Sequence, residues 1–264
     1  MRPQFHFTAA GWINDPHGIT YADGEYHSFF QYVPGSTSWD LGCHWGHASG
    51  VDLFSLRELS PALSPGDGDD DIWSGALMVG HDDVPRIFYT SVSADQPAVG
   101  RVRVAHADGP DWVQWTKGPV VATAPTATGI TAFRDPMVAA DGSGWRMLVG
   151  AGFENGVAGV VGYSSSDGET WSDGSLVVSR SGAEVDPVWS GSMWECPQII
   201  EVDGHHALIL SVWDDDVLHD VLYSLGTYER GVFSPRTWGR LSFGPSLYAA
   251  TAFRDRQDRA CVMF

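Results

Sequence analysis

Thr131-Ala-Phe-Arg-Asp-Pro-Met-Val-Ala-Ala-Asp-Gly-Ser-Gly-Trp-Arg-Met-Leu-Val149 reads as a strand, a tight turn and a second strand. The turn is Asp141-Gly142. Asp-Gly between apolar runs is the strongest short-range hairpin signal, because the favoured two-residue turns need positive φ. The same plan recurs on both sides. Trp12-Ile-Asn-Asp-Pro-His-Gly18 precedes turn Asp23-Gly24 and strand Tyr26–Tyr32, and Asp71-Ile-Trp-Ser-Gly75 precedes turn His81–Pro85 and strand Arg86–Thr90. Trp194-Glu-Cys-Pro197 precedes turn Asp203-Gly204 and strand Ala207–Val212. Tyr248-Ala-Ala250 precedes turn Arg254–Arg259 and strand Ala260–Phe264. Asp15 to Ser74, Ser74 to Asp135 and Asp135 to Glu195 are each within a residue of sixty.

A second hairpin signal keeps the same phase. Asp108-Gly109-Pro-Asp-Trp112 and Asp167-Gly168-Glu-Thr-Trp171 are turns closed by a Trp, and Asp52 stands where a degenerate copy belongs. No helical periodicity of any length is present; the one candidate, Leu53–Leu63, is interrupted by Ser and Pro. Two hairpins per repeat make a four-stranded blade, and blades set radially make a propeller. The expectation is therefore an all-β chain, a single five-bladed β-propeller over residues 1–264. A β-sandwich is the rival architecture, but it has no reason to keep the phase. The fifth repeat stops after its second strand, so about four and a half blades are expected, with Ala260–Phe264 as an edge that favours pairing or aggregation.

The composition limits the partners. With 33 acidic against 15 basic residues the net charge is −18, and Lys117 is the only lysine, which speaks against nucleic acid or an anionic membrane. No apolar run reaches the roughly 18–20 residues that span a bilayer. The opening Met1-Arg2-Pro3-Gln4-Phe5 has no apolar leader segment, and the odd, scattered Cys43, Cys196 and Cys261 do not form a disulfide framework. Together these favour a cytoplasmic setting.

In a propeller the first strand of each blade lines the central channel, so equivalent repeat positions converge there. That position is read as Asp15, Ser74, Asp135, Glu195 and Ala249. Crowded carboxylates raise one another's pKa and are tolerated where they perform chemistry or hold a cation. Two of them ~5–5.5 Å apart are the apparatus of a retaining glycosidase. Asp67-Gly-Asp69-Asp70-Asp71 starts like a calcium loop, but Ile72 and Met78 stand where such a loop needs Gly and Glu; it is read as a solvated loop. His44-x-x-His47 and His205-His206 lack partners at zinc-like spacing, and neither a phosphate loop nor a nucleophile elbow is present, so no metal or cofactor is expected. Strand alternation points Cys196 away from the channel, as buried filler. Trp12, Trp39, Trp45, Trp73 and Trp194 flank the acids or their loops and are read as the walls of a sugar-binding cleft.

These residues carry a resemblance. Phe7-Thr8-x-x-Gly11-Trp12-Ile-Asn14-Asp15-Pro16-x-Gly18, Phe133-Arg134-Asp135-Pro136 and Glu195-Cys196-Pro197 resemble the three signature motifs of glycoside hydrolase family 32, the β-fructofuranosidases. Phe30-Gln31-Tyr32, Trp39, Cys43-His44-Trp45-Gly46-His47-Ala48 and Trp73-Ser74-Gly75 are similar to further segments of that family. The resemblance runs from about residue 3 to the last residue and implies a five-bladed propeller. It also implies Asp15 as nucleophile, Glu195 as general acid/base and Asp135 as the stabiliser that holds fructosyl hydroxyls. Trp12, Asn14, Gln31, Trp39, Trp73, Ser74 and Arg134 would shape the fructose subsite. The implied partner is sucrose or a fructo-oligosaccharide, hydrolysed with retention.

His17, Val33 and Ala76 depart from the family pattern, and the β-sandwich that usually follows the propeller is missing from the sequence. Two rivals keep the acids but change the reading: an inverting, arabinanase-type furanosidase, and a sugar-binding remnant without catalysis. The pentapeptide Thr131–Asp135 also recurs letter for letter as Thr251–Asp255. Asp255 opens directly into Arg-Gln-Asp-Arg, so aligning by the downstream strand puts Asp255 in a turn and Tyr248-Ala249 at the channel.

Overall fold

In the computed structural model, which describes residues 6–126, 128–244 and 246–264, the hairpin signals become antiparallel meanders. The opening residues Met1–Phe5, in which no leader was read, lie outside the described residues. The first meander is β1 (Trp12–Ala22), β2 (Glu25–Val33), β3 (His44–Gly50) and the short β4 (Arg57–Glu58). The second is β5 (Asp71–Val79), β6 (Pro85–Val92), β7 (Arg101–Ala107) and β8 (Trp115–Thr123). The third is β9 (Ile130–Asp141), β10 (Gly144–Phe153), β11 (Val157–Ser165) and β12 (Ser175–Ser181). The fourth is β13 (Met193–Val202), β14 (His205–Asp214), β15 (Val217–Glu229) and β16 (Val232–Arg240). A last sheet holds β17 (Thr251–Arg254) and β18 (Ala260–Met263).

Every turn read from the sequence joins the strands it was assigned to. Asp23-Gly24, Asp141-Gly142 and Asp203-Gly204 close the first hairpins of their meanders, and each Asp and Gly there has positive φ except Asp141. The outer hairpin of the fourth meander turns at Arg230-Gly231, both with positive φ, and lacks the Asp-Gly signature closed by a Trp that marks the second and third. Among the described residues the only helical turn is the 3₁₀ segment Glu154–Gly156. The Leu53–Leu63 stretch contains β4 instead of a helix.

First strands touch in cyclic order: β1 with β5, β5 with β9, β9 with β13, β13 with β17, and β17 with β1. Thr251 closes the circle by donating its hydroxyl to the Pro16 carbonyl. The apolar cores lie between successive meanders, so middle strands are buried on both faces. Phe29 and Trp45 of the first pack on Ile72, Ile87 and Tyr89 of the second. Phe88 and Val104 of the second meet Phe133, Met147 and Val149 of the third. Leu148 and Val160 of the third meet Trp194, Leu208 and Leu222 of the fourth. Each such side chain, fully buried, contributes roughly 1.5–3 kcal/mol. Glycine permits the closest approach: a Cβ on Gly150 would lie 2.1 Å from the Trp194 carbonyl oxygen, where β10 and β13 meet. The last sheet leaves Val262 39% and Phe264 38% exposed.

Two members of the acidic run correct its sequence reading, while Asp67 and Asp70 are exposed as read. Asp69 is buried, with Arg103 at 3.0 Å, Lys117 at 2.9 Å and the Tyr89 hydroxyl donating at 2.9 Å. The lone lysine of the chain thus serves this carboxylate. Asp71 is buried too and accepts from the Cys43 amide at 2.6 Å and the Trp73 indole at 2.8 Å. Short-range sequence cannot show that strands β6, β7 and β8 arrive to cover a run that looks solvated.

Candidate active site

Three of the five first strands carry a left-handed, non-glycine residue, Asp15 (φ 45), Asp135 (φ 63) and Cys196 (φ 48), and Ala249 (φ 47) stands just ahead of the fifth, β17. In three the pairing register with the next strand slips at that point, between Asn14 and Pro16, beyond Arg134, and between Glu195 and Gln198. These are β-bulges, which break alternation and re-aim a side chain, and a non-glycine residue held there stores of order 1–3 kcal/mol of strain. Proline follows the first three and cannot donate to the ladder, so the break is written into the sequence.

The bulges correct the repeat phase by one residue in the fourth meander. Cys196, not Glu195, is the counterpart of Asp15 and Asp135. Glu195 pairs with Ser211 just before the bulge, as Asn14 pairs with Gln31 and Arg134 with Gly150. Cys196 is buried as expected but does not turn away: its Sγ is 3.7 Å from Asp135 Oδ2, and its amide donates to the same oxygen at 3.2 Å. Burial, then the neighbouring carboxylates, pushes its thiol well up, which unsuits it as a nucleophile.

The three acids are nonetheless brought together, each with its own support. Asp15 accepts from Asn14 Nδ2 at 2.8 Å and from the Ser74 hydroxyl at 2.7 Å. Gln31 donates to that hydroxyl at 2.9 Å, completing a relay from β2 through β5 to β1. Asp135 is anchored by its amide, which donates to Thr90 Oγ1 at 2.8 Å, while that hydroxyl donates to the Ser74 carbonyl at 2.9 Å. Glu195 accepts from Arg134 Nε at 2.7 Å on one oxygen and from the Tyr248 hydroxyl on the other. The Arg134 guanidinium is itself held between aromatic faces, 5.2 Å from the Trp213 ring centre and 5.9 Å from that of Trp73.

Electrostatically the site is strained. Burial first, then the charge of Glu195, lifts Asp15 from the ordinary 3.8 to about 7. The same two causes, in the same order, lift Asp135 to about 8. Asp15 and Asp135 therefore do not ionise freely at neutral pH, although one guanidinium, that of Arg134, lies beside them. Among the described residues no group of three or more His, Cys, Asp or Glu is arranged to hold a metal ion.

A cleft of about 900 Å³ opens above the acids. Trp12, Asn14, Gln31, Trp39, Trp73 and Arg134 line it. Ser74 is buried behind Asp15 and is not on the wall. Trp45 and Trp194 are corrected: both are fully buried core residues, because the strand interior, not the channel, takes their rings. Trp45 acts at one remove by donating its indole N–H to the Trp73 carbonyl at 2.9 Å. Trp213, Phe153 and Asp216 line the cleft without having been singled out, and Tyr248, placed at the channel by the strand alignment but given no role, lines it too. Tyr248 was findable, since it precedes Ala249 as Glu195 precedes Cys196. Trp213 reaches the cleft from the end of a second strand, for which the repeat gave no signal.

Known proteins place this arrangement. The chain is 34% identical over 301 residues to "Beta-fructofuranosidase, insoluble isoenzyme 7" of Oryza sativa subsp. indica, a match that covers 100% of this chain and 48% of the relative. It is 30% identical over 278 residues to the "Sucrose-6-phosphate hydrolase" of Zymomonas mobilis subsp. mobilis, covering 99% of this chain and 54% of that one. The solved GH32 β-fructofuranosidase of Bombyx mori superposes with a TM-score of 0.82 at 26% identity, over 97% of this chain and 55% of that one. A variant of that silkworm enzyme has been solved in complex with sucrose. The chain spans about half the length of the curated relatives it matches. Residues 6–264 match the model of the glycosyl hydrolases family 32 N-terminal domain, and the chain belongs to that family.

Proposed function

We propose that this chain is the catalytic domain of a retaining β-fructofuranosidase, built as a five-bladed propeller whose last blade here has two strands. It releases terminal, non-reducing β-D-fructofuranosyl residues from sucrose or a fructan. The observation that carries the reading is the convergence of Asp15, Asp135 and Glu195, from β1, β9 and β13, on one tryptophan-walled cleft. The family membership and the sucrose bound by the silkworm relative support a fructoside over an arabinoside.

Asp15 is the nucleophile. Its carboxylate attacks the anomeric carbon while Glu195 passes a proton to the leaving-group oxygen, and Glu195 then takes a proton from the water that releases fructose. Asp135 holds ring hydroxyls, and its grip tightens as the oxocarbenium-like state forms. Glu195 accepts from two donors, Arg134 Nε and the Tyr248 hydroxyl, while burial favours a proton on the aspartates. Arg134 offsets the negative charge of the site.

The test is hydrolysis of sucrose followed by NMR. β-Fructofuranose should appear first, before mutarotation, and Glu195→Ala supplied with azide should yield a β-fructosyl azide. First appearance of the α-anomer would overturn retention, and sucrose binding without turnover would overturn catalysis.

A further inference from the structure

The two curated relatives above differ in the charge of the sugar they are named for, and the cleft of this chain is informative on that difference. Its wall carries the acids Asp15, Asp135, Glu195 and Asp216. Against them, the only Arg, Lys or His among the described cleft-lining residues is Arg134. That guanidinium is already committed to Glu195 at 2.7 Å and enclosed by two indoles, with its side chain 9% exposed. Lys117 is engaged at Asp69, away from the cleft. A phosphate ester needs a free arginine fork or ammonium to replace its water.

The mouth of the cleft adds a negative charge through an unusual turn. β14 ends at Asp214 and β15 begins at Val217, and these two residues pair. Asp215 and Asp216 form the two-residue loop between them, with φ 48 and φ 60. This is the turn in which Asn-Gly or Gly-Gly is ordinarily chosen, because both positions are left-handed. Two aspartates there accept backbone strain and set a carboxylate at the rim. The cleft also carries exposed apolar side chains: Leu218 is 58% exposed and Trp39 47% exposed. Such side chains suit the carbon face of an uncharged sugar.

We infer that this cleft selects fructosides whose leaving group is uncharged and rejects phosphorylated ones, and that Asp216 is a specificity-determining residue for that choice. The inference rests on the β-fructofuranosidase reading above and narrows its substrate class. A phosphate carries nearly two negative charges at neutral pH. Brought into a low-dielectric cleft of like sign, it meets a repulsion that exposed salt can partly screen.

The experiment compares kcat/KM for sucrose and sucrose 6-phosphate, at low ionic strength and in ~0.5 M NaCl, for the wild type and Asp216→Asn. Sucrose should be preferred by roughly tenfold or more at low salt, since ~10-fold needs only a modest repulsion at these distances. Salt and Asp216→Asn should each narrow the ratio several-fold by improving the phosphorylated substrate. Equal or better turnover of sucrose 6-phosphate overturns the inference, as does a ratio that neither salt nor Asp216→Asn moves. Should neither sugar be turned over, the catalytic reading fails by itself, and calorimetric binding of the same two sugars to the same two proteins decides selection. Tighter, salt-sensitive preference for sucrose upholds it; equal affinity, or binding of neither, overturns it.

Discussion

Thr131-Ala-Phe-Arg-Asp135 and Thr251-Ala-Phe-Arg-Asp255 are identical in sequence and opposite in environment. In the first, strand β9 continues through Asp135 to Asp141, so the aspartate falls on a bulge in mid-strand. In the second, β17 ends at Arg254 and Asp255 begins the turn to β18. Phe133 is fully buried between meanders, while Phe253 is only half-buried. Arg134 reaches Glu195; Arg254 instead caps the Glu201 and Asp258 carbonyls at 2.9 and 3.0 Å. Burial lifts Asp135 to about 8, whereas the Arg259 side chain, donating at 2.7 Å, holds Asp255 below the ordinary range. Five shared letters do not fix a role; the distance to the next turn does.

The strongest way to break this contrast is kinetic. Asp15→Asn should reduce kcat for sucrose by about 10⁴-fold or more while leaving the fold intact, because the proposed mechanism loses its nucleophile. Asp135→Asn should cost about 10³-fold, mainly in kcat, and Asp255→Asn less than about threefold. Comparable losses at Asp135 and Asp255, in steady-state assays of both variants, would sink the strand-based assignment.

The paired arginines sharpen it next. Arg134→Lys removes a planar donor stacked between Trp73 and Trp213 and should lower kcat/KM by roughly 10²-fold. Arg254→Lys should change it by less than about twofold, since its partners are turn carbonyls. Circular dichroism of both proteins separates a kinetic effect from misfolding.

Stability should run in the opposite direction. Asp135 has a folded pKa above its unfolded value, so the fold binds that proton more tightly. Ionisation then destabilises the protein progressively from about pH 4 up to about pH 8. Asp135→Asn should therefore raise Tm by several degrees at pH 8 and hardly at all at pH 4. Asp255 is depressed, so its contribution is present above the unfolded value of 3.8 and lost as pH falls through its lower folded value. Asp255→Asn should slightly lower Tm at pH 7, with the difference vanishing once the pH falls below the folded value. Calorimetry across this pH range reads both signs, and a stabilising Asp255→Asn would contradict the ion pair with Arg259.

The smallest effect concerns the true counterpart of Asp135 in the last repeat. Ala249 is left-handed at φ 47 and buried. Ala249→Gly should add about 0.5–1 kcal/mol, because glycine carries no Cβ penalty there. Denaturant melts check it, and a loss of stability would mean that the methyl packs usefully enough to outweigh the strain.

Much of this was legible in one dimension. Hairpin turns depend on residues adjacent in sequence, so Asp23-Gly24, Asp141-Gly142 and Asp203-Gly204 announced themselves, and their spacing gave the strand plan. The failures share a different cause. Glu195 and Cys196 were exchanged in phase because a bulge inserts a residue into the ladder, which a count by sixty cannot see. Asp69 looked solvated because its cover, Arg103 and Lys117, comes from strands more than thirty residues away.

By itself, then, the sequence determined the local items: where the chain turns, which runs pair as hairpins, and that three acids in Asn-Asp-Pro, Arg-Asp-Pro and Glu-Cys-Pro settings belong together. Only the tertiary structure decided which tryptophans are wall and which are core, and that Ser74 serves Asp15 from behind. It also decided that Trp213 completes the cleft and that the Tyr248 hydroxyl donates to Glu195. The physical reason is that turn geometry is set by the backbone preferences of two or three neighbouring residues. Burial, hydrogen-bond partnership and pKa depend instead on side chains delivered by strands far apart in the chain.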